Sequence, residues 1–274
     1  MKNQIKDTNW DHIIVSVSGG KDSSALMLHA LENFPKEKLT CLHAIIDIDW
    51  HETKEIVVEQ CAQFNLPLIM VQAADKDGKE KGFLSKLTGP RKDRKTGEIK
   101  QNLFPDMGNR WCTSELKLAP IHKYVRSLKG NILVLVGERR EESTQRSKLE
   151  AIRPNTKLSV NGRNVVDYSP ILDMTEVQVW DQIKAAGVPI HPCYTKYGVK
   201  RASCAICIFS SPKDIKQAAI HAPDIVAKYI RAEQKIDHTF KYKPATKKRP
   251  ALKETVADIL TAQGINVGEL LTKN

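Results

Sequence analysis

Residues 12–34 constrain the fold more than any other stretch, because HIIVSVSGGKDSSALMLHALENF joins an apolar run to a helical pattern through two glycines. The short β-branched run before Gly19 predicts a buried strand. Apolar residues at helical spacing, such as Ala25 and Leu28, predict a helix from Asp22 to about Phe34. A strand that enters a helix through glycine is typical of phosphate sites, since backbone N–H groups and the positive end of the helix dipole face the anion.

The alternation of apolar runs and helical patterns continues along the chain. It predicts strands in residues 39–49, 66–73 and 130–137, and helices in 51–65 and 113–128, the last apart from Pro120. Strands that alternate with helices predict an α/β fold with a doubly wound, mostly parallel sheet. Ligands of such sheets bind beyond the carboxyl ends of the strands. We therefore expect one cleft to contain three segments, 18–23, 47–52 and 137–146.

Two regions depart from this pattern. Residues 76–100 hold nine Lys and Arg residues against four Asp and Glu residues, which predicts a basic surface loop that is solvated, acts as a lid or contacts nucleic acid. After residue 210 the pattern is helical, with Ser211 as N-cap and Pro212 in the first turn. The run 241–253 carries six basic residues and no acid. We therefore predict an α/β domain at 1–210 and a helical, basic C-terminal extension at 211–274.

The bulk composition limits the class of protein. The chain of 274 residues has a formal net charge of +11, which favours an anionic substrate or a polyanionic partner. No apolar run approaches the ~18 residues that a membrane span needs, and the first ten residues are polar. We therefore expect a cytoplasmic protein without a membrane partner. The six cysteines are then reduced thiols or metal ligands rather than disulfides.

The residues around the two glycines supply the groups that an anion site needs. Lys21 offers an ammonium, while Ser18 and Ser23 offer hydroxyl donors. The loop is shorter than the G-x-x-x-x-G-K-[ST] pattern, so it surrounds a smaller part of a polyphosphate. The carboxylates of Asp22 and Asp47 are suited to Mg²⁺ beside phosphate oxygens. Arginines that follow a predicted strand can bind phosphate or sulfate with two N–H groups at once, or form a surface ion-pair network; these are Arg139, Arg140 and Arg146.

Five motifs carry a resemblance to a known family. SGGKDS at 18–23 resembles the PP-loop of the ATP pyrophosphatase superfamily. The others resemble segments of its phosphoadenylylsulfate and adenylylsulfate reductases, in the same order. They are DIDWHET at 47–53, RWCTSELKLAP at 110–120, GERREESTQR at 137–146, and the stretch from SPILDMTEVQVW at 169–180 to a C-x-x-C pair. In the first of these, Ile48 and Asp49 replace a Thr-Gly pair of the family.

The resemblance covers residues 12–211 and implies an ATP-dependent enzyme that cleaves between the α- and β-phosphates. It implies that the loop holds the departing pyrophosphate. Lys21, Asp22 and Arg139 would then be catalytic. The implied nucleotide-binding residues are Ser18, Gly19, Gly20, Lys21, Asp22, Ser23, Asp47, Gly137, Arg139 and Arg146.

The cysteines divide into two groups. Cys41 falls in a predicted strand and Cys61 in a predicted helix, which favours buried small apolar residues. The other four are Cys112, Cys193 and the C-x-x-C pair Cys204 and Cys207. Four thiolates suit either a tetrahedral Zn²⁺ ion or an iron–sulfur cluster.

The pattern of the four cysteines is similar to one branch of the superfamily. It resembles the sulfurtransferase subunits of DNA phosphorothioation (the Dnd and Ssp systems), in which four such cysteines hold a 4Fe-4S cluster. That resemblance implies DNA, a cysteine desulfurase and other modification-complex subunits as partners. An alternative is a sulfonucleotide reductase, although such enzymes use a cysteine in a C-terminal Glu-Cys-Gly motif and no cysteine follows Cys207 in this sequence. A non-catalytic subunit that binds nucleotide and DNA is a further alternative.

Overall fold

A computed structural model describes Ile5 and residues 8–93, 95–236, 238–243 and 252–272. Its largest sheet has six strands, which are β1 (His12–Ser16), β2 (Leu39–Ile45), β3 (Leu68–Gln72), β6 (Gly130–Leu135), β7 (Ile152–Pro154) and β8 (Arg163–Tyr168). Their order across the sheet is β3-β2-β1-β6-β8-β7. Strands β2, β1, β6 and β8 run parallel, and β7 is antiparallel to β8. The predicted α/β fold with a mostly parallel sheet is confirmed.

Helices connect and follow these strands. The α-helices of the described residues are α1 (Lys21–Asn33), α2 (Thr53–Gln63), α3 (Phe83–Thr88), α4 (Ala119–Ser127), α5 (Glu176–Ala185), α6 (Pro192–Thr195), α7 (Pro212–His221), α8 (Pro223–Ile236), α9 (Val256–Ala262) and α10 (Val267–Thr272). Two short antiparallel ribbons pair β4 (Pro90–Lys92) with β5 (Ile99–Gln101), and β9 (Lys241–Lys243) with β10 (Leu252–Glu254).

The strand order reverses between β1 and β6. From β1 the chain proceeds to β2 and β3 on one side, whereas β6 and β8 lie on the other side. At such a switch point the loops after the two adjacent strands diverge and leave a crevice at their carboxyl ends. The loop after β1 contains Gly19 and Gly20, and the loop after β6 contains Gly137 and Arg139. The fold therefore places both segments at the edge of the sheet where ligands bind.

The apolar side chains of the strands form cores on both faces of the sheet. On β1, Ile13 and Val15 pack in one cluster with α1, α2 and α5, whereas Ile14 packs in another cluster with Val125 of α4. The alternation follows from the two-residue period of a strand. Cys41 and Cys61 are 0% and 2% exposed, and both lie in the first cluster. Their prediction as buried apolar residues is confirmed.

The described chain divides into two compact units. The first comprises residues 1–44, 52–71 and 119–191, and the second comprises 45–51, 72–118 and 192–274. The core of the second unit is a separate cluster that includes Trp50, Phe83, Trp111, Cys193 and Tyr229. The predicted domain boundary at residue 210 stays a prediction.

Two segments differ in detail from their prediction. Residues 76–100 are not simply a loop, since they contain α3 and the β4–β5 ribbon, and Phe83 and Leu87 are buried. The high charge of this segment predicted exposure throughout, although Phe83 and Leu87 are core residues. The predicted helix at 113–128 consists of a π-helical segment, Cys112–Leu118, followed by α4. Pro120 lies directly after the π-helical segment, inside one continuous helical run, where its missing N–H group interrupts the regular α-helical hydrogen bonding.

The C-terminal region begins as predicted. Ser211 caps α7, its side chain accepts a hydrogen bond from the backbone N–H of Asp214, and Pro212 occupies the first turn. The helical run is divided at Ala222, after which Pro223 begins α8. Most of the basic run 241–253 lies outside the described residues. No helix in the described part of the chain is long and apolar enough to cross a membrane.

Candidate functional site

The loop Ser18–Ser23, here called the glycine loop, has the backbone of an anion site. Gly19 has a φ of +73°, and a Cβ atom at this position would lie 3.3 Å from a methyl group of Val57. Gly20 is the N-cap residue of α1 and has no side chain with which to cap the first amides of the helix. These amides lie at the positive end of a thirteen-residue helix, so the loop is suited to phosphate.

Serine hydroxyls fix the shape of the glycine loop. The Ser23 hydroxyl donates to the Gly20 carbonyl at 2.9 Å and accepts a hydrogen bond from the Ser18 backbone N–H at 3.1 Å. The Ser24 hydroxyl also donates to Gly20 at 3.1 Å. Ser23 and Ser24 are almost fully buried. These serines therefore hold the turn in place, which is a structural role beside the predicted ligand role of Ser18 and Ser23.

Lys21 and Arg139 lie at the glycine loop in a network of carboxylates. Arg139 is 3% exposed, and its Nε donates to Asp22 Oδ1 at 2.5 Å while its Nη1 donates to Glu141 Oε2 at 2.7 Å. Lys21 is 5% exposed, and its Nζ lies 3.7 Å from carboxylate oxygens of both Asp22 and Glu176. Burial opposes the charge on Arg139, but its hydrogen bonds to Asp22 and Glu141, together with the negative charges of Asp22 and Glu142, outweigh burial and raise the pKa of the guanidinium.

Gly137 allows the loops after β1 and β6 to approach each other. A Cβ atom on Gly137 would lie 3.1 Å from the Asp22 carbonyl oxygen. The absence of a side chain therefore lets the segment that carries Arg139 pass next to the first turn of α1. Within the first unit, the structure brings together four predicted site residues: Lys21, Asp22, Gly137 and Arg139.

The other arginines of GERREESTQR have protein partners. Arg140 donates from Nε to Asp173 at 2.6 Å and from Nη1 to the carbonyls of Ser147 and Leu149. This set of contacts fixes the 137–149 segment. Arg146 forms an ion pair with Glu142 and lies 3.8 Å from Glu138. The predicted role of Arg146 in nucleotide binding stays a prediction.

A buried histidine supports the glycine loop from behind. His191 is 1% exposed, and its Nε2 lies 3.1 Å from Thr53 Oγ1. A Cβ atom added to Gly19 would also lie 3.6 Å from the His191 ring. Thr53 begins α2 and is also buried. The pair therefore packs the start of α2 against the glycine loop. The motif around Thr53 was identified from the sequence, but nothing in the sequence connected it with His191.

Asp47 belongs to the second unit. Its carboxylate accepts a hydrogen bond from the backbone N–H of Phe83 at 2.6 Å and a longer one from Leu84 at 3.4 Å. Asp47 therefore satisfies the first amides of α3. The predicted Mg²⁺ ligation by Asp22 and Asp47, and the predicted shared cleft, stay predictions.

In the second unit, Cys207 lies within electrostatic range of both Cys112 and Cys204. Burial raises the pKa of Cys112, and so does the nearby thiol of Cys207. Burial also raises the pKa of Cys204, which is close to Asp49 and Cys207. We call Cys112, Cys204 and Cys207 the thiol cluster. Cys193 is fully buried in the same apolar core, and none of these four cysteines forms a disulfide.

Lys117 supplies a positive charge to the thiol cluster. Its pKa is raised, first by the field of Cys204, and also by Asp49, Cys207 and Cys112. Lys117 lies on the π-helical segment that begins at Cys112. A π-helical turn widens the helix by one residue and is frequent at functional sites. Here it places a cation and a cysteine of one short segment beside the C-x-x-C pair.

The thiol cluster contains the right donors for a metal centre. Thiolate sulfur suits iron–sulfur clusters and Zn²⁺, and a cation such as Lys117 offsets part of the charge of several thiolates. However, across the described ranges no three His, Cys, Asp or Glu side chains are grouped as a metal site. The donor chemistry therefore fits such a centre, whereas ligation by Cys112, Cys193, Cys204 and Cys207 stays a prediction.

A cavity of about 540 Å³ also lies in the second unit, and its lining includes Ile230, Glu233, His238 and Tyr242. The two carboxylate oxygens of Glu233 accept hydrogen bonds from the backbone N–H groups of Phe240 and Val256. This buried carboxylate therefore joins the end of α8 to the segments that follow it. Its polar contacts are those of a structural group.

The family of the chain is decided by a match over most of its length. Residues 12–211 match the model of the phosphoadenosine phosphosulfate reductase domain. The chain belongs to this family. The match covers the glycine loop, Arg139 and all four cysteines predicted as ligands.

Individual relatives of the reductase domain are distant. The chain is 27% identical over 218 residues to the uncharacterised protein MJ0973 of Methanocaldococcus jannaschii, which covers 80% of this chain and 46% of that protein. It is 27% identical over 96 residues to the adenosine 5'-phosphosulfate reductase of Burkholderia cepacia, which covers 35% of each protein. The chain thus spans less than half the length of these curated relatives.

Solved structures of related fold are similarly remote. The phosphoadenylyl-sulfate reductase of Candida auris aligns with a TM-score of 0.47 and 15% identity, over 73% of this chain and 83% of that chain. The U34-tRNA thiolase NcsA of Methanococcus maripaludis, solved with its [4Fe-4S] cluster, aligns with a TM-score of 0.44 and 11% identity. It covers 84% of this chain and 74% of that chain.

Proposed function

We propose that the chain is an ATP pyrophosphatase that activates an oxygen atom for sulfur transfer, with DNA phosphorothioation as its setting. The observation that carries the proposal is the buried pair of cations, Lys21 and Arg139, at a glycine loop on the switch point of the sheet. Cations of this kind bind phosphate oxygens, and they lie at the place where such sheets bind ligands, so a polyphosphate is a ligand of fitting charge.

The proposed reaction is a displacement at the α-phosphorus of ATP. An oxygen nucleophile of the acceptor forms a bond to the α-phosphorus, and the bond to the bridging oxygen of the β-phosphate breaks. Pyrophosphate leaves with the electron pair of that bond. The amides of the glycine loop, Lys21 and Arg139 stabilise the charge on the leaving group, so catalysis rests on positioning and electrostatics. The carboxylates predicted to hold Mg²⁺, Asp22 and Asp47, would add a metal ion that offsets further phosphate charge.

Asp22 has a positioning role in this proposal. Its carboxylate holds Arg139 Nε at 2.5 Å and lies 3.7 Å from Lys21. It therefore fixes the two cations relative to each other before the nucleotide arrives. These long side chains therefore lose their conformational entropy when the protein folds rather than when the nucleotide binds. Such preorganised cations stabilise the transition state more effectively.

The second part of the proposal concerns sulfur. Cys112, Cys193, Cys204 and Cys207 would hold a 4Fe-4S cluster, with Zn²⁺ as the alternative. A cysteine desulfurase is the proposed donor. DNA is the proposed acceptor, and the net charge of +11 supports a polyanionic partner. Further modification-complex subunits and a cytoplasmic location belong to the same proposal.

The test of the pyrophosphatase activity is direct. Purified protein is incubated with ATP, Mg²⁺ and DNA, and pyrophosphate and ADP are measured separately. We expect pyrophosphate without ADP, because the α–β bond is cleaved. Lys21→Ala is expected to lower the rate by about 10²-fold or more, by analogy with the loss of one transition-state donor. The matched control is Lys54→Ala, which removes an exposed lysine at the start of α2.

Two outcomes would contradict the proposal. Absence of pyrophosphate, with Lys21→Ala and wild type indistinguishable, would favour a non-catalytic subunit that binds nucleotide and DNA. Release of sulfite from phosphoadenylylsulfate or adenylylsulfate in the presence of thioredoxin would favour a sulfonucleotide reductase. That second candidate has the support of the matched family model. Transfer of labelled sulfur from cysteine to DNA, with a desulfurase present, would support phosphorothioation.

A further inference from the structure

The cations of the glycine loop are already in contact with more negative charge than they carry. Lys21 and Arg139 contribute two positive charges, and the carboxylates of Asp22, Glu141 and Glu176 lie within 4.0 Å of them. A polyphosphate adds several further negative charges to the same place. Like charges at these distances repel strongly in a partly buried site. Movement of one carboxylate away from the cations when a nucleotide binds relieves this repulsion.

Glu176 is the carboxylate that is held least firmly. Its oxygens lie 3.7 Å from Lys21 Nζ and 4.0 Å from Arg139 Nη2, and its side chain is 55% exposed. Exposed pairs at such distances contribute little to stability. Asp22 and Glu141, by contrast, accept hydrogen bonds from Arg139 at 2.5 and 2.7 Å.

The backbone of Glu176 is fixed although its carboxylate is not. Its N–H donates to Glu141 Oε2 at 2.9 Å, and Thr175 caps the helix α5 that begins at Glu176. A rotation of the side chain can thus remove the carboxylate from the cations without moving the helix. Because the side chain is exposed, water solvates the carboxylate after it is displaced.

We propose that Glu176 is a resident carboxylate that takes the place of phosphate on Lys21 and Arg139, and that nucleotide binding displaces it. The proposal rests on the proposed nucleotide site and adds a residue that sets its affinity. Glu176 keeps the two buried cations paired in the absence of a ligand. It also competes with the polyphosphate, so the carboxylate lowers the affinity of the site for ATP.

The sign of one mutational effect tests this exchange. Binding of Mg²⁺ and the uncleavable analogue α,β-methylene ATP is measured by calorimetry for wild type and Glu176→Gln. We expect the substitution to tighten binding about threefold to tenfold, since it removes a competing charge and keeps the shape of the side chain. Asp181→Asn is the matched control, because it removes an exposed carboxylate from the same helix. It is expected to change the affinity less than twofold.

Other outcomes distinguish a failure of the proposed carboxylate exchange from a failure of the proposed nucleotide site. Weaker binding by Glu176→Gln would overturn the exchange and make Glu176 a ligand of the nucleotide or its Mg²⁺. Equal affinity of wild type and Glu176→Gln would overturn the exchange alone. No binding by either protein would overturn both the exchange and the proposed nucleotide site. Thermal unfolding of each variant, with Glu176→Ala as a second substitution, verifies that the proteins compared are folded.

Discussion

Gly19 takes a backbone conformation that L-residues with a side chain rarely adopt, at a point where α2 and His191 lie against the chain. Its φ of +73° and the methyl group 3.3 Å from a hypothetical Cβ are separate constraints. The first concerns the backbone and would apply to any left-handed residue. The second concerns space and is specific to this loop. Substitution of Gly19 by alanine violates both constraints. A second glycine with a positive φ but no close neighbours allows the backbone effect to be measured by itself.

We expect Gly19→Ala to lower the free energy of unfolding by more than Gly162→Ala does. Gly162 has a φ of +80° in the same unit, but a Cβ atom added there would have no neighbour within 4 Å. Gly162→Ala should therefore show only the left-handed strain, about 1–2 kcal/mol. Gly19→Ala should add the contact with Val57 and weaken nucleotide binding. Urea unfolding and nucleotide titration measure the two effects. Equal destabilisation with unchanged binding would contradict this account.

At the scale of secondary-structure elements, short caps and turns position the chemistry. The C-x-x-C pair ends at Cys207, and the cap of α7 follows at Ser211. Between them, Ser210 Oγ accepts a hydrogen bond from the Cys207 N–H at 3.1 Å, and the Ser210 N–H donates to the Cys207 carbonyl at 2.8 Å. Ser210, directly before this cap, thus fixes the turn that carries Cys207 of the thiol cluster.

We expect Ser211→Ala to destabilise the protein by about 1 kcal/mol, since the first turn of α7 loses its side-chain cap. Ser211→Thr is the matched control, because threonine also caps helices and keeps the hydroxyl that donates to Asp214, so it should retain most of the stability. Denaturant unfolding followed by circular dichroism measures both variants. A loss for Ser211→Thr as large as for Ser211→Ala would show that the Ser211 cap does not decide the stability of this segment.

At the scale of the whole molecule, the two compact units are stabilised by different kinds of apolar core. The first unit is a sheet with apolar clusters on both faces. The second has a core of aromatic rings, in which Phe83 lies 5.0 Å from Trp111 and 5.2 Å from Tyr229 between ring centroids. Its C-terminal segments are joined by Glu233, which is 6% exposed. The stability of the molecule should therefore respond to the charge state of this carboxyl group.

Burial raises the pKa of Glu233 from 4.5 to about 7, although the N–H groups of Phe240 and Val256 favour the charged form. Between these pH values the native protein binds more protons than the unfolded chain, so its stability falls as the pH rises. The slope is at most about 1.4 kcal/mol per pH unit. Glu233→Gln should remove this slope, and the exposed Glu37→Gln should retain it. Unfolding midpoints from pH 4.5 to 7 measure the difference; identical profiles for all three proteins would contradict the assignment.

The sequence by itself determined the local features of this protein. The apolar run, the two glycines and the helical spacing of residues 12–34 were sufficient for β1, the glycine loop and α1, because each depends on neighbours within a few residues. The cap at Ser211 follows for the same reason. The motifs also indicated the family, since their order along the chain is itself a property of the sequence.

Only the tertiary structure decided which distant side chains meet. Glu176 follows the N-cap of α5, a position where acidic residues are common in any helix, but it lies beside Lys21. His191 meets Thr53 across 138 positions of sequence. Phe83 and Leu87 are anchors within a segment whose charge predicted a loop. Such contacts depend on the packing of whole elements, and a pattern with a period of a few residues carries no information about them.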